Sequence, residues 1–252
     1  MQLPEDGVPL DEAALLISAG ANPTLDVAAQ LRRLDDIAGS VGECDRAALC
    51  RVLFEEWGLR GDRDGYDDPA NSYIDRVLDR GLGIPISLSV LLIEVGRRCG
   101  LRLEAVGMPG HFLVRDPAEP EVLIDAFSGG RRLDRPACES LLQAVTGGAG
   151  SLTPGMLSTT RPWATLARML ANLDRSFEQR NDRASLVWVS ELRTSIPHAS
   201  LADRTQLAGR LAALGRFDIA AEVLSNAAAS TRIAPVRERL VSDARKLRAR
   251  LN

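Results

Sequence analysis

The sequence is short of several things that would narrow its chemistry. It holds two histidines in 252 residues. Its four cysteines, Cys44, Cys50, Cys99 and Cys138, never stand two to four residues apart. That excludes a zinc knuckle, and no metal site is expected. The Gly-rich patterns of dinucleotide-binding and phosphate-binding loops are missing, so no cofactor is expected. No apolar run approaches the ~20 residues that span a bilayer. The opening stretch "MQLPEDGVPLDEAALL" is acidic and lacks a basic-then-apolar leader. Reduced thiols in a cytoplasmic protein follow as the expectation, each read as a small buried hydrophobe. Lysine is nearly absent: Lys246 stands alone among arginines. Together with the richness in Ala, that imbalance reads as coding bias and not as a set of recognition sites.

What is present suffices for a sizeable core, since 45% of residues are hydrophobic. The net charge of −3 hides a split. Residues 1–156 carry a net −10 and residues 157–252 a net +7, as two domains would. Residues 10–56 carry helical periodicity. Asp11 and Glu12 open the first helix, Pro23-Thr24 leads into a second, and Gly58 stops a third. Residues 59–72 are polar, with Gly61, Gly65 and Pro69, and read as a loop. Its aspartates lack the alternation and terminal Glu of a calcium-binding loop. Asn71 or Ser72 is placed to cap the short helix "YIDRVLDRG".

The segment "LGIPISLSVLLIEVGRRCG" follows. Pro85 stands where a first-turn proline belongs, and Leu88, Leu91, Leu92 and Val95 form a stripe expected at the centre of the core. The period then changes to that of strands in "LRLEAVGM", "HFLVR" and "EVLIDAF", with a tight turn at Ser128-Gly129-Gly130. Residues 136–153 hold a short helix and the Gly-rich "TGGAGSLTPG", a linker candidate. Beyond residue 157 the chain reads as helical hairpins turning at "RNDRA" and "LGRFD". Asn181 and Gly215 stand 34 residues apart, the period of tetratricopeptide-type hairpins.

Three polar residues interrupt the apolar middle. Ser87 lies in the first turn of the buried helix, His111 opens a strand after Pro109-Gly110, and Asp125 ends the next. A hydroxyl at a helix N-terminus, an imidazole base and an orienting carboxylate make a nucleophilic triad when they converge. The other role open to Ser87 is a helix-capping contact.

The strings "GIPISLSVLLIEVGRRCGL", "GMPGHFLVR" and "LIDAF" resemble the SirB1 or transglutaminase-like core-2 family, densely over residues 71–135. The resemblance implies an α+β fold within the papain-like superfamily: a central buried helix against a small antiparallel sheet, an N-terminal helical cap and C-terminal tetratricopeptide-like hairpins. It implies two domains, 1–150 and 157–252. It also implies a Cys-His-Asp site in which His111 and Asp125 match the His and Asp. The Cys position falls on Pro85, which has no thiol and no acid–base chemistry. The expected function is therefore a noncatalytic interaction or regulatory module that takes a protein or peptide through residues 157–252. The alternative is a Ser87–His111–Asp125 hydrolase or acyl-transferase. The Arg-rich tail lacks interleaved aromatics for base stacking, which argues against a nucleic-acid partner.

Overall fold

The computed structural model describes residues 8–251 apart from positions 44, 149 and 198. Cys44, the opening seven residues and Ala149 of the Gly-rich stretch lie outside the described residues. The chain divides into two compact units, one ending at Met169 and the other beginning at Leu170.

The first unit opens with three helices, α1 (Leu10–Ala21), α2 (Val27–Ser40) and α3 (Arg46–Cys50), the last continuing as a wider turn through Arg51–Glu56. Asp26, not Pro23-Thr24, begins α2, because its carboxylate accepts the Ala29 N–H at 2.9 Å and satisfies an orphan donor of the first turn. In α1, Asp11 is buried and accepts from Arg98 at 2.6 Å and Arg97 at 3.0 Å. It thus ties this helix to the central one in addition to opening it.

A two-residue strand, β1 (Arg60–Gly61), pairs in parallel with β2 (Leu82–Gly83), and α4 (Ile74–Arg80) lies between them. Asn71 and Ser72 do not cap α4. They sit in a 3-10 turn, Pro69–Ser72, capped by Asp68, and α4 starts after Tyr73. Next comes α5 (Pro85–Arg98) with Pro85 at its first position, where a missing N–H leaves nothing unpaired. Leu88, Leu91, Leu92 and Val95 are fully buried.

A four-stranded antiparallel sheet follows in sequence order: β3 (Glu104–Val106), β4 (Leu113–Arg115), β5 (Leu123–Asp125) and β6 (Arg131–Leu133). Its register aligns Val106 with Leu113, Val114 with Ile124 and Asp125 with Arg131. Helix α5 packs on β3 and β4, and against α1 to α4. A further core joins Met108, Leu113, Leu123 and Leu133 of the sheet region to Cys138 and Leu142 of α6 (Arg135–Thr146). The result is a central buried helix backed by a small sheet.

The boundary between units falls later than the Gly-rich stretch. Thr160 donates its N–H to Ala105 O at 2.7 Å, and its hydroxyl accepts from Gly107 N at 2.8 Å. The chain after the glycines is thereby bound to β3 and its exit. The split comes inside α7 (Pro162–Arg180).

The second unit holds the remainder of α7, then α8 (Arg183–Ser195), α9 (Leu201–Ala213), α10 (Phe217–Ser230) and α11 (Ala234–Arg248). Asn181 and Gly215 both adopt left-handed backbone, φ 54° and 76°, a conformation that Asn and Gly tolerate best. Leu173 and Leu207, Phe177 and Leu211, and Val187 and Ala221 are pairs at that same separation, and all are buried. The turn conformation and the core positions therefore share one period. Arg210 binds Asp174 and Glu178, and Arg193 joins Asp174 to Asp203.

Candidate functional site

The site is built around the turn that precedes β4. Pro109-Gly110 reverses the chain, with Gly110 at φ 71° and His111 N–H donating to Met108 O at 3.1 Å. This turn places the His111 ring at the sheet surface, two residues before the strand begins. Its Nε2 meets Asp125 Oδ1 at 2.9 Å. His111 is 6% exposed and Asp125 1%.

Asp125 ends β5 and caps the 3-10 turn that follows. The same Oδ1 accepts from Phe127 N at 3.1 Å and Ser128 N at 3.3 Å. Burial pushes its carboxyl up, but the His111 hydrogen bond, the His111 charge and the Ser128 contacts outweigh that and hold it below its ordinary value. An ionised carboxylate only accepts, so His111 presents Nε2–H to it, which fixes the orientation of the ring. This is the arrangement of an oriented imidazole base.

The residues facing that base follow from the rotation of α5. Ser89 is fully buried, and its hydroxyl reaches Phe112 O at 3.5 Å, beside His111. Pro85 lies one turn before Ser89 and on the same helix face. Pro85 carries a pyrrolidine ring with nothing to donate or attack.

Ser87 lies about 200° around the helix from both. It is 0% exposed. Its hydroxyl donates to Asn71 O at 2.6 Å and accepts the Ile84 N–H at 3.1 Å. It therefore closes the helix start onto the turn before α4. A Cβ on Gly83 would come within 2.9 Å of that hydroxyl, so the packing leaves no room beside it. Among the described residues the structure brings His111 and Asp125 together and directs Ser87 elsewhere.

Three contributors were not singled out in the sequence. Arg168 of α7 donates to Met108 O at 2.7 Å and His111 O at 2.6 Å, and lies over the Phe112 ring at 5.3 Å. It fixes both ends of the His111 turn. Phe127 sets its ring edge-on to His111, centroids 6.1 Å apart, and to Tyr66 at 6.0 Å. Arg63 covers Phe127 at 5.2 Å. Gly61 is required beneath that ring, because a Cβ there would lie 2.5 Å from it. Ser89 is the third. Its place four residues after Pro85 was the one available signal for it.

The loop that carries Arg63 and Tyr66 is held by Asp62. Its carboxylate accepts from Gly65 N at 2.8 Å and Asn71 Nδ2 at 3.0 Å, and lies 3.6 Å from Arg80. The Gly65 contact is the leading reason that its carboxyl is held below the ordinary range. Of the described cysteines, Cys138 is buried and Cys50 and Cys99 are half-buried. Burial pushes the Cys50 thiol up to about 11, far from a nucleophile's range.

A buried helix packed on a small antiparallel sheet, with a buried His–Asp pair at the ends of its middle strands, fits a transglutaminase-like core. A family profile described as transglutaminase-like superfamily matches residues 24–171, more than half of the chain, and the chain belongs to that superfamily. It is 37% identical over 199 residues to a UPF0162 protein of Xylella fastidiosa, covering 72% of this chain and 70% of that one. To UPF0162 protein PA3419 of Pseudomonas aeruginosa it is 35% identical over 173 residues, 65% and 63% of the two chains. F-box only protein 21 of Mus musculus shares 35% identity over 135 residues, 50% of this chain and 21% of that protein. No solved structure gives a significant match. Among the described residues no helix is long and apolar enough to cross a membrane.

Proposed function

We propose that this chain is a noncatalytic member of its superfamily, of the SirB1 type, and acts as a protein-interaction or regulatory module through its C-terminal helices. One observation carries the reading. The hydroxyl in the first turn of α5, on Ser87, is buried and bound to Asn71, and the family resemblance puts a proline, Pro85, where the cysteine would stand. Ser89, the other hydroxyl in this part of α5, is fully buried and directed at Phe112 O, so on this reading the oriented base has no free nucleophile and the scaffold of acyl chemistry lacks its first step. The Ser87–His111–Asp125 alternative would need the Ser87 hydroxyl to leave two hydrogen bonds and swing to the other side of α5.

The C-terminal part is read as tetratricopeptide-like. The shared left-handed turns at Asn181 and Gly215 and the matching buried pairs support that reading. Hairpin arrays bury a continuous core and leave one face for partners. F-box only protein 21 is named for its F-box and not for a reaction, which is compatible with a transglutaminase-like domain serving association. A cytoplasmic location belongs to the same reading.

The test is partner capture by the full chain and by a truncation after Arg180. That cut removes α8 to α11 and keeps Arg168, which the His111 turn needs. A specific partner retained by the full chain and lost from the truncation is the expected result. A partner held equally by both would place recognition in the first unit and overturn the assignment to the helices.

A further inference from the structure

The second unit holds a groove that the His111 site does not use. Helices α9 and α11 flank it, with Leu224 of α10 at its floor, and it encloses about 750 Å³. That lies within the ~300–1,000 Å³ of ordinary ligand clefts. The α9 wall is made of small side chains at turn spacing, Ala202, Thr205, Ala208 and Ala212, with Gly209 among them. A Cβ built on Gly209 meets nothing within 4 Å, so this wall stands back from its neighbours. The α11 wall offers Val236, Leu240 and Leu247 as an aliphatic stripe.

The rim has one sign of charge in excess. Arg239, Lys246 and Arg250 line the groove and Asp243 is the single acid among the lining residues. Asp243 holds Lys246 at 2.9 Å and reaches Arg239 only at 3.9 Å. Arg250 lies over the Phe217 ring at 5.5 Å, and no carboxylate pairs with it among the described residues. The side chains of Arg239 and Lys246 are 86% and 72% exposed. Three cations and one carboxylate thus line the edge of an aliphatic trough.

We propose that the groove between α9 and α11 binds an acidic peptide segment carrying aliphatic side chains. Those side chains enter between the small residues of α9 and Leu240, and the carboxylates meet Arg239, Lys246 and Arg250. The inference rests on the reading of the helices as an interaction module and supplies the chemistry of the partner. A basic segment would meet like charge at the rim. A nucleic acid would find no aromatic side chain lining the groove on which to stack bases.

The experiment uses the purified full chain and fluorescence anisotropy with three labelled probes. One is a 14-residue peptide with Leu at helical spacing and Glu elsewhere, one replaces each Glu by Lys, and one is a single-stranded oligonucleotide. The acidic peptide is expected to bind saturably and to weaken as salt rises. Its affinity is expected to fall about tenfold or more in Arg239→Glu/Lys246→Glu, and comparably in Gly209→Leu, which fills the trough. Both variants alter exposed positions, and circular dichroism checks that they fold.

Equal binding of the Lys peptide, preference for the oligonucleotide, binding unchanged in both variants, or no binding by any probe would overturn the proposal. Self-association that the same variants abolish would assign the groove to a second copy of this chain and also overturn it. Capture of a partner that depends on α8 to α11 but not on Arg239, Lys246 or Gly209 would retain the module and remove only this inference.

Discussion

Ser87 and Lys246 illustrate how differently the two units use polar side chains. In the first unit Ser87, Asn71, Asp62, His111 and Asp125 are all buried, and each is bound to another part of the same fold. In the second, Arg239 and Lys246 stand in solvent along a groove, sharing one carboxylate. Polar groups that saturate one another inside a core fix its geometry and have little left for a ligand. Cations held on rigid helices beside an aliphatic trough keep their capacity for a partner. Under the proposed function the unit that resembles an enzyme supplies architecture and the other supplies recognition.

The largest expected effect tests whether the second unit also has an interior ionic framework. Arg210→Ala leaves Asp174, which is buried, with Arg193 as its remaining guanidinium. A loss of about 3 kcal/mol, the scale for breaking a buried pair, is expected in urea unfolding followed by Trp188 fluorescence. A loss under about 1 kcal/mol would mean that the arginine is effectively solvated.

Asp125→Ala comes next, at roughly 2–3 kcal/mol, because it strips His111 and the Phe127 and Ser128 N–H groups of their acceptor. The pH dependence has a definite sign. Asp125 is held below its ordinary value, so its contribution is full above the unfolded carboxyl range near ~3.9 and is lost as pH falls through the lower folded value. Wild-type stability should therefore drop below about pH 4 more steeply than that of Asp125→Asn. Matching slopes would show that this carboxylate is not selectively stabilised by the fold.

Ser87→Ala should cost about 2 kcal/mol, since it leaves Asn71 O and Ile84 N–H buried without their partner. A neutral outcome would free Ser87 from its structural role and sharpen the case for the alternative.

The smallest stability effect is expected for Pro85→Cys, at a position that needs no backbone donor. Its readout is the pH dependence of alkylation in a background lacking Cys44, Cys50, Cys99 and Cys138. A half-point well below ~8 that moves back up with His111→Ala would show that position 85 faces the imidazole. An unshifted thiol in a folded variant would show that the α5 register inferred from Ser89 is wrong.

Much of this architecture is readable from residue pattern. The Leu88–Leu91–Leu92–Val95 stripe, the Pro109-Gly110 turn and Asp125 at a strand end signal the buried helix and the His–Asp pair by local chemistry. Asn181 and Gly215 signal the hairpins because left-handed turns demand those residue types. What was hidden depends on distance along the chain. Ser87 bonds to a carbonyl 16 residues upstream, in a 3-10 turn with no periodicity of its own. Arg168 reaches His111 O across 57 residues, from a helix whose pattern matches the second region while its first turns pack on the first. The Gly-rich stretch looks like a boundary, yet Thr160 fastens the chain after it to β3, which no local signal announces.

The central claim is that the His111–Asp125 pair no longer has a nucleophile to serve. The direct measurement is turnover of a generic ester, and of a glutamine donor with a primary amine, by the purified full chain beside His111→Ala and Ser87→Ala. Rates at background in all three proteins are predicted. Turnover by the wild type that disappears in either variant, with circular dichroism showing that variant folded, would contradict the account and make this chain a working acyl-transfer enzyme.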